Sequence, residues 1–416
     1  MIDINLIREN PEKVKEGVRR KQYDPSVVDC VLELDKRRLG LLQQTEELRR
    51  ERNEISKEKS EENIARGKEI KAKLQELEPQ LKVLEGEYVE ALAEVPNLPF
   101  EDVRVGKGEE ENVEIRKWGE VPQFSFSPKD HVDLGRQLDI IDFEAGAKVA
   151  GSGFYYLKNE GALLEVALVQ YGFQFLVKKG FTPIVTPDLA KERFYLGTGY
   201  QPHGEEAQTF TVIDSDLGLI ATAEITLAGY HADEVLNKKD LPRKYAGYSH
   251  CFRQEAGAYG KYSKGLYRVH QFTKVEMFAF TTLYGSQKVH EEFLALEEEF
   301  WKSLEIPYRV IEMCTGDLGA QAARKYDLEA WMPGRKDYGE VTSTSNTTDY
   351  QARNLGVRYR DGDETEYVHT LNGTLVATSR AIIAILENYQ QEDGSVVVPE
   401  ALRQYIGKDK IILPSA

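Results

Sequence analysis

Residues 252–278, FRQEAGAYGKYSKGLYRVHQFTKVEMF, set two alternating runs on either side of a loop rich in Gly, Lys and Tyr. Period-two alternation puts Arg253 and Glu255 on one side of the first run, and Arg268, His270, Phe272, Lys274 and Glu276 on one side of the second. A half-buried strand pair would ordinarily carry Val and Ile at such positions. A surface hairpin laced with cross-strand ion pairs is one account of the pattern. A recognition face is the other. A planar guanidinium grips phosphate or carboxylate oxygens in pairs, an aromatic ring stacks on a planar base, and a carboxylate holds an amine or a hydroxyl. Three further places carry suitable groups with ordinary structural readings beside them. Thr222 and Glu224 precede ITLAGYHADEVL as a helix cap would, Glu340 opens the strand-like GEVTSTSN, and Arg380 fits the solvent face of a helix bearing Ile382, Ile385 and Leu386.

The elements that must position these groups fall into two textures. From about Val27 to Val95, Leu34, Leu41, Leu48 and Ile55 recur at intervals of seven; a second series, Ile70, Leu74, Leu77, Leu81, Leu84, Tyr88 and Ala91, alternates steps of four and three. The polar stretch SKEKSEENIARGKE between them predicts an antiparallel helical hairpin roughly 40 Å long, with a dimerising coiled coil as the alternative. Pro79 stands inside the second series, where proline usually kinks a helix. The Pro-, Gly- and Glu-rich segment from Val95 reads as a linker, dividing an arm domain, 1–105, from a second domain, 106–416. Beyond it, GALLEVALVQYGFQFLVKKG reads as a helix, while FTPIVTP, TFTVI, LYRVHQFTKVEMFAF and TEYVHTL read as strands. Hairpin-like loops between strands, with few regular helical crossovers, predict a mainly antiparallel sheet and an α+β fold.

Composition narrows the function classes. No run of eighteen apolar residues occurs in the 416-residue chain, so no membrane span is expected, and the charged N-terminus lacks the apolar core of an export signal. Cys30, Cys251 and Cys314 are far apart and lack CxxC or Cys/His spacing, which points to the cytoplasm rather than to a disulfide framework or zinc site. The net charge of -16 argues against nonspecific attraction to nucleic acid, so any RNA contact must use a local patch. The hairpin holds such a mixture: Arg49, Arg50, Arg52, Lys57, Lys59, Arg66, Lys68, Lys71 and Lys73 among as many glutamates.

The motifs also carry a family resemblance. FRQEAG, a loop and YRVHQFTKVEMF resemble motif 2 of class II aminoacyl-tRNA synthetases in the form found in seryl-tRNA synthetases. GFTPIVTP, ending at Pro187, resembles motif 1, and LNGTLVATSRAIIAILENYQ, with Arg380, resembles motif 3. TAE at Thr222, EVTSTSNTTDYQAR from Glu340, IDFEAGAKVAGSGFYYLKNEGALLE from Ile141 and the N-terminal hairpin are similar to the same family, so the resemblance spans nearly the whole chain. It implies an antiparallel catalytic domain flanked by helices, a tRNA-binding coiled-coil arm and, through motif 1, a homodimer. The implied activity is a serine–tRNA ligase in protein biosynthesis, which activates L-serine with ATP and passes the seryl group to the 3′ end of serine tRNA, with selenocysteine tRNA a further candidate acceptor.

Carried over residue by residue, the resemblance implies that Arg253 and Arg380 are catalytic. Arg253 would hold the ATP α-phosphate and the serine carboxylate; Glu255 would read the adenine amino group above Phe272; Val269 would contact ATP through its backbone. Arg380 would cover the other adenine face near the γ-phosphate, with Gln254, Val341 and Thr342 completing the ATP site. Glu340 and Ser343 would hold Mg²⁺, while Thr222, Ala223, Glu224, Glu276 and Thr374, together with Arg253, would form the serine pocket. The hairpin would contact the long variable arm of the tRNA. Asn354 and Thr374 depart from the commoner family residues, a second Arg and a Ser.

No side-chain nucleophile is needed for such acyl transfer, which rests on alignment and on stabilising phosphate charge. Two rivals share the catalytic motifs. An amino acid:carrier-protein ligase would lack the long arm, and a silent tRNA-binding paralogue would be expected to have lost one of Arg253, Glu276, Glu340 or Arg380. A plain coiled-coil scaffold leaves the rest of the chain unexplained.

Overall fold

The computed structural model describes residues 1–58, 60–200, 209–255 and 262–414. They form two compact units, Met1–Leu98 and Pro99–Ala416. Residues 99–105, read from the sequence as the end of the arm, belong with the second unit, because Phe100 and Val103 pack on Ile311, Met313 and Leu318.

In the first unit, two long helices, Ser26–Ile55 and Glu61–Glu94, follow a pair of short ones. Ser60 starts the second long helix by accepting a hydrogen bond from the Asn63 amide (3.1 Å). Ile70, Leu74, Leu81, Leu84 and Ala91 are buried along its seam, facing half-buried Leu34, Leu41, Leu48 and Ile55. Arg38 lies 4.7 Å from the Tyr88 ring centre, Arg49 pairs with Glu78 (2.9 Å) and Arg66 with Glu51 (2.6 Å). Partners that descend along one helix as they ascend the other define an antiparallel hairpin within one chain, which decides between the two readings of the periodicity. Pro79 neither ends nor interrupts its helix. Both Pro79 and Gln75, whose carbonyl loses its bond, are exposed, so water can satisfy that group on the outer face.

The second unit is built on an eight-stranded sheet: β1 (Val113–Trp118), β2 (Thr182–Val185), β3 (Arg243–Phe252), β4 (Gln271–Thr281), β5 (Tyr308–Glu312), β6 (Arg324–Met332), β7 (Asp337–Asn346) and β8 (His369–Ala377). Their order is β1-β5-β6-β7-β8-β4-β3-β2, antiparallel throughout except where β2 joins β3. Alternation along β4 serves two cores. Val275, Met277 and Ala279 enter the main core with the Asn159–Lys178, Ser286–Ser303 and Thr378–Asn388 helices. Phe278 and Phe280 enter a smaller core with Ala223, Leu227, Tyr245 and Leu355. The same face of β4, continued toward its start, carries Glu276, Lys274 and Phe272.

Two strand readings need correction. The stretch expected as one strand from Leu266 to Phe280 becomes regular only at Gln271, because Gly265–Tyr267 forms a single tight turn: Gly265 has φ 59° and Leu266 is buried in the main core. Arg268 and His270 therefore do not belong to the strand face assigned to them. TEYVHTL is split between Glu364–Tyr367, paired with Arg358–Asp361 in a separate three-stranded sheet, and β8.

Candidate active site

Two irregularities in the sheet assemble the site. On a regular strand, residues three apart point to opposite faces, so Glu340 and Ser343 would be separated. The β6–β7 register slips: Thr342 lies opposite Leu328 and Glu340 opposite Glu329, leaving Val341 as an extra residue. Across β4–β8, Glu276 faces Thr374 while Val275 faces Val376, leaving Leu375 extra. Such bulges re-aim side chains, and here Glu340 and Ser343, and likewise Thr374 and Ala377, reach one cavity.

That cavity is lined by Arg253, Glu255, Val269, Phe272, Glu340, Val341, Thr342, Ser343, Thr374 and Arg380, together with Tyr267 and Lys274. It continues past Tyr267, Glu340 and Arg380 into a larger polar groove holding Arg335, Lys325 and Asp327. Arg253 follows β3 and is held by its amide bond to the His270 carbonyl (3.0 Å) and by the His270 imidazole on its own carbonyl (2.9 Å). Its guanidinium lies 5.3 Å from the Phe272 ring centre, and among the described residues it has no carboxylate partner. Glu255, in the left-handed region at φ 52°, pairs with Arg268. The Gly- and Lys-rich loop between the two runs lies largely outside the described residues, at 256–261.

Arg380 does not face solvent from its helix. It donates to the Glu340 carbonyl (2.9 Å), pairs with the Glu340 carboxylate (3.0 Å), donates to the Tyr267 carbonyl (3.3 Å) and covers the Tyr267 ring at 4.6 Å. Burial alone would raise the Glu340 carboxyl, but Arg380 and Lys325 outweigh it and hold the group well below the usual range. An ionised carboxylate and a hydroxyl facing one cavity are hard oxygen donors that fit Mg²⁺, an ion that keeps part of its coordination for water and phosphate oxygens.

Deeper in the site, Glu276 is 2% exposed and pairs with Lys274 (2.5 Å), while Thr374 donates to it (3.3 Å) and accepts from Lys274 (3.1 Å). Lys274 and Tyr267 had no role from the sequence. Lys274 had a signal, since it stands between Phe272 and Glu276 on one strand face; Tyr267, in a turn, had none.

Glu276 lies behind Lys274 and Thr374 rather than on the cavity wall, and Thr222, Ala223, Glu224 and Gln254 lie off the wall as well. Thr222 accepts from the Glu224 amide (3.3 Å) as the cap of the Ala223–Gly229 helix, Ala223 is buried in the smaller core, and Gln254 donates to the Thr209 carbonyl (2.8 Å). Glu224 is buried and accepts from Gln351 (2.7 Å), Asn372 (2.8 Å) and Tyr200 (3.1 Å). Burial, aided by the Glu276 carboxylate, pushes its carboxyl up to about 7. A carboxyl raised on folding binds its proton more tightly in the native state. Its stabilising contribution is therefore complete below the unfolded value near 4.5 and is lost as pH rises to about 7. The loss amounts to about 3 kcal/mol. Denaturant unfolding of the wild type and Glu224→Gln across that window checks this: the wild type is expected to lose stability relative to the variant as pH rises, and parallel curves would refute it.

Both units of the chain have counterparts among known proteins. Residues 1–99 match the seryl-tRNA synthetase N-terminal domain, and residues 210–389 match the tRNA synthetase class II core domain of the G, H, P, S and T group. A protein of Rubrobacter xylanophilus named serine–tRNA ligase is 53% identical over 99% of both chains, and one of Treponema denticola with the same name is 50% identical over 99% of this chain and 100% of its own. The crystal structure of seryl-tRNA synthetase from Pyrococcus horikoshii complexed with ATP superposes with a TM-score of 0.91 at 43% identity, covering 100% of both chains. The cytoplasmic serine–tRNA ligase of Naegleria fowleri in complex with AMP gives 0.87 at 37% identity, covering 100% of this chain and 99% of its own.

Proposed function

Since the chain belongs to the seryl-tRNA synthetase family and so joins serine to tRNA at the expense of ATP, we propose the residues that do this and the order in which they act. The adenine ring lies on Phe272, with Arg380 across its other face and Glu255 at its amino group. Arg253 spans the α-phosphate and the serine carboxylate. A carboxylate oxygen of serine attacks the α-phosphorus, the bond to the bridging oxygen breaks, and pyrophosphate leaves. The 3′-hydroxyl of tRNA then attacks the carbonyl of the adenylate, and AMP departs, its phosphate taking up the hydroxyl proton. Glu340 and Ser343 would hold Mg²⁺, which when bound supplies charge neutralisation to the phosphates. Glu276, kept in place by Lys274 and Thr374, receives the serine hydroxyl, and Thr222, Ala223 and Glu224, which lie off the cavity wall at the start of the Ala223–Gly229 helix, support the serine end of the site from behind.

The observation that carries this reading is the convergence of Arg253, Phe272, Glu340, Ser343 and Arg380 on one cavity, with the bulge at Val341 turning Glu340 and Ser343 to the same side. Asn354, where the family often has Arg, donates to the Gly197 carbonyl (2.9 Å) and ties two helices together outside the cavity. A homodimer through the edge strand β2 is part of the proposal, supported by Val185 there, 73% exposed, and by exposed Val177 on the preceding helix. No helix among the described residues is long and apolar enough to cross a membrane, and the cytoplasm is the proposed compartment, in keeping with three unpaired thiols.

The arm, 1–98, is proposed to take the long variable arm of serine tRNA by shape and backbone contacts. One experiment tests both halves. Pyrophosphate exchange into ATP, assayed against all twenty amino acids, is expected with serine alone and only with Mg²⁺. Replacing residues 28–94 by a short Gly/Ser linker should leave that exchange within about tenfold, or about 1.4 kcal/mol of barrier, and remove most tRNA charging. Brisk exchange with a different amino acid sinks the substrate, and full charging without the hairpin sinks the arm's role.

A further inference from the structure

The groove into which the cavity continues is walled by three separate segments, through Tyr267 of the Gly265–Tyr267 turn, Arg335 of the β6–β7 turn and Arg380 of the Thr378–Asn388 helix. A single buried carboxylate gathers them. Glu387 stands two helical turns beyond Arg380 on the same helix and is 1% exposed. One of its oxygens accepts from the Gly334 amide (2.8 Å), and the other accepts from the His131 amide (3.0 Å) and bonds His131 Nδ1 (2.8 Å).

His131 is wholly buried, and its Nε2 accepts from the Leu266 amide (3.1 Å). A backbone N–H can only donate, so Nε2 carries no proton, and the ring is the Nδ1–H tautomer that donates to Glu387. The loop lies directly on this ring: a Cβ built at Gly265, whose φ is 59°, would meet Nε2 at 2.2 Å. One residue past the bonded amide, the Tyr267 carbonyl accepts from Arg380 Nε and its ring sits beneath the Arg380 guanidinium, with Arg335 5.2 Å from the same ring.

We propose that His131, which does not line the cavity, is a positioning residue for nucleotide binding: its Nε2 bond to Leu266 sets the height of Tyr267, and through Tyr267 the orientation of Arg380 toward ATP. The inference rests on the reading of Arg380 as an ATP contact. Displacement of a contact group by about 1 Å is enough to cost up to roughly a hundredfold, so loss of this one bond should register in ATP binding.

Two substitutions separate the ring's two bonds. His131→Asn keeps a donor near Nδ1 for Glu387 and loses the acceptor for Leu266; His131→Gln keeps an acceptor near Nε2 and loses the donor. In pyrophosphate exchange, His131→Asn is expected to raise KM for ATP about tenfold with KM for serine unchanged, while His131→Gln stays within about threefold of wild type. Both should lower the unfolding midpoint, so a purely structural role would move the two variants together. Gly265→Ala, which pushes the loop off the ring, is expected to follow His131→Asn and tests the same contact from the other side if the Asn variant does not fold. Equal KM for ATP in the Asn and Gln variants, or parallel rises in KM for serine, overturn the proposal. Arg380→Ala is measured alongside: if it raises KM for ATP while His131→Asn does not, the inference alone fails, and if it leaves KM for ATP unchanged, the reading of Arg380 fails and takes the inference with it.

Discussion

Arg253→Ala is expected to lower serine-dependent pyrophosphate exchange by about 10²–10³-fold, the usual cost of deleting a donor aimed at charge that develops in the transition state. The guanidinium sits at the cavity over the Phe272 ring with no carboxylate in ion-pair contact among the described residues, so its terminal donors are left for a ligand. Its side-chain tie to the fold is one long hydrogen bond from Nε to the Ala221 carbonyl (3.4 Å), and the hairpin around it is held by backbone and His270 instead. The variant should therefore unfold close to wild type while losing both kcat and kcat/KM. Exchange at the wild-type rate in the folded variant would make the hairpin structural and leave its charged face without a ligand.

Glu276 should decide between serine and alanine. A site built to bond a hydroxyl rejects the analogue lacking it by roughly four orders of magnitude, because its buried polar group is left unpaired. Glu276 meets that condition, being buried beneath Lys274 and Thr374 on the strand face that begins with Phe272. The ratio of kcat/KM for serine to that for alanine is expected near that value in the wild type and to collapse in Glu276→Ala. That variant also strands the buried Lys274 ammonium, so Glu276→Gln, which retains the shape and an acceptor, is measured with it as a control for folding. Discrimination unchanged in Glu276→Ala would remove the residue from the pocket.

Much of the fold and of the site is legible in the order of residues alone. The seam from Ile70 to Ala91 is the inward face of its helix, because heptad spacing leaves a helix one way to bury its apolar side. The ordered motifs mark the chain's family, and full-length relatives bear this out. Period-two reading of β4 places Phe272, Lys274 and Glu276 on one face, as found. The same reading fails for Arg268 and His270, since the turn at Gly265–Tyr267 is enforced by a contact with His131, 135 positions from Leu266 in the sequence.

What the sequence determined by itself was therefore local and periodic: the helical arm, the antiparallel α+β character, and the residue types able to grip phosphate, base and hydroxyl. The tertiary structure decided which of those residues share a cavity. Glu340 and Ser343 meet only because the register slips at Val341, and Thr374 reaches Glu276 only because it slips again at Leu375. Arg380 reaches the cavity, rather than the solvent face that its helix alone would equally allow, because Glu340 and Tyr267, distant in the chain, offer it acceptors there. Bulges and long-range hydrogen bonds belong to pairs of segments and leave no periodic trace in either one, which is why they come into view only when the strands are laid side by side.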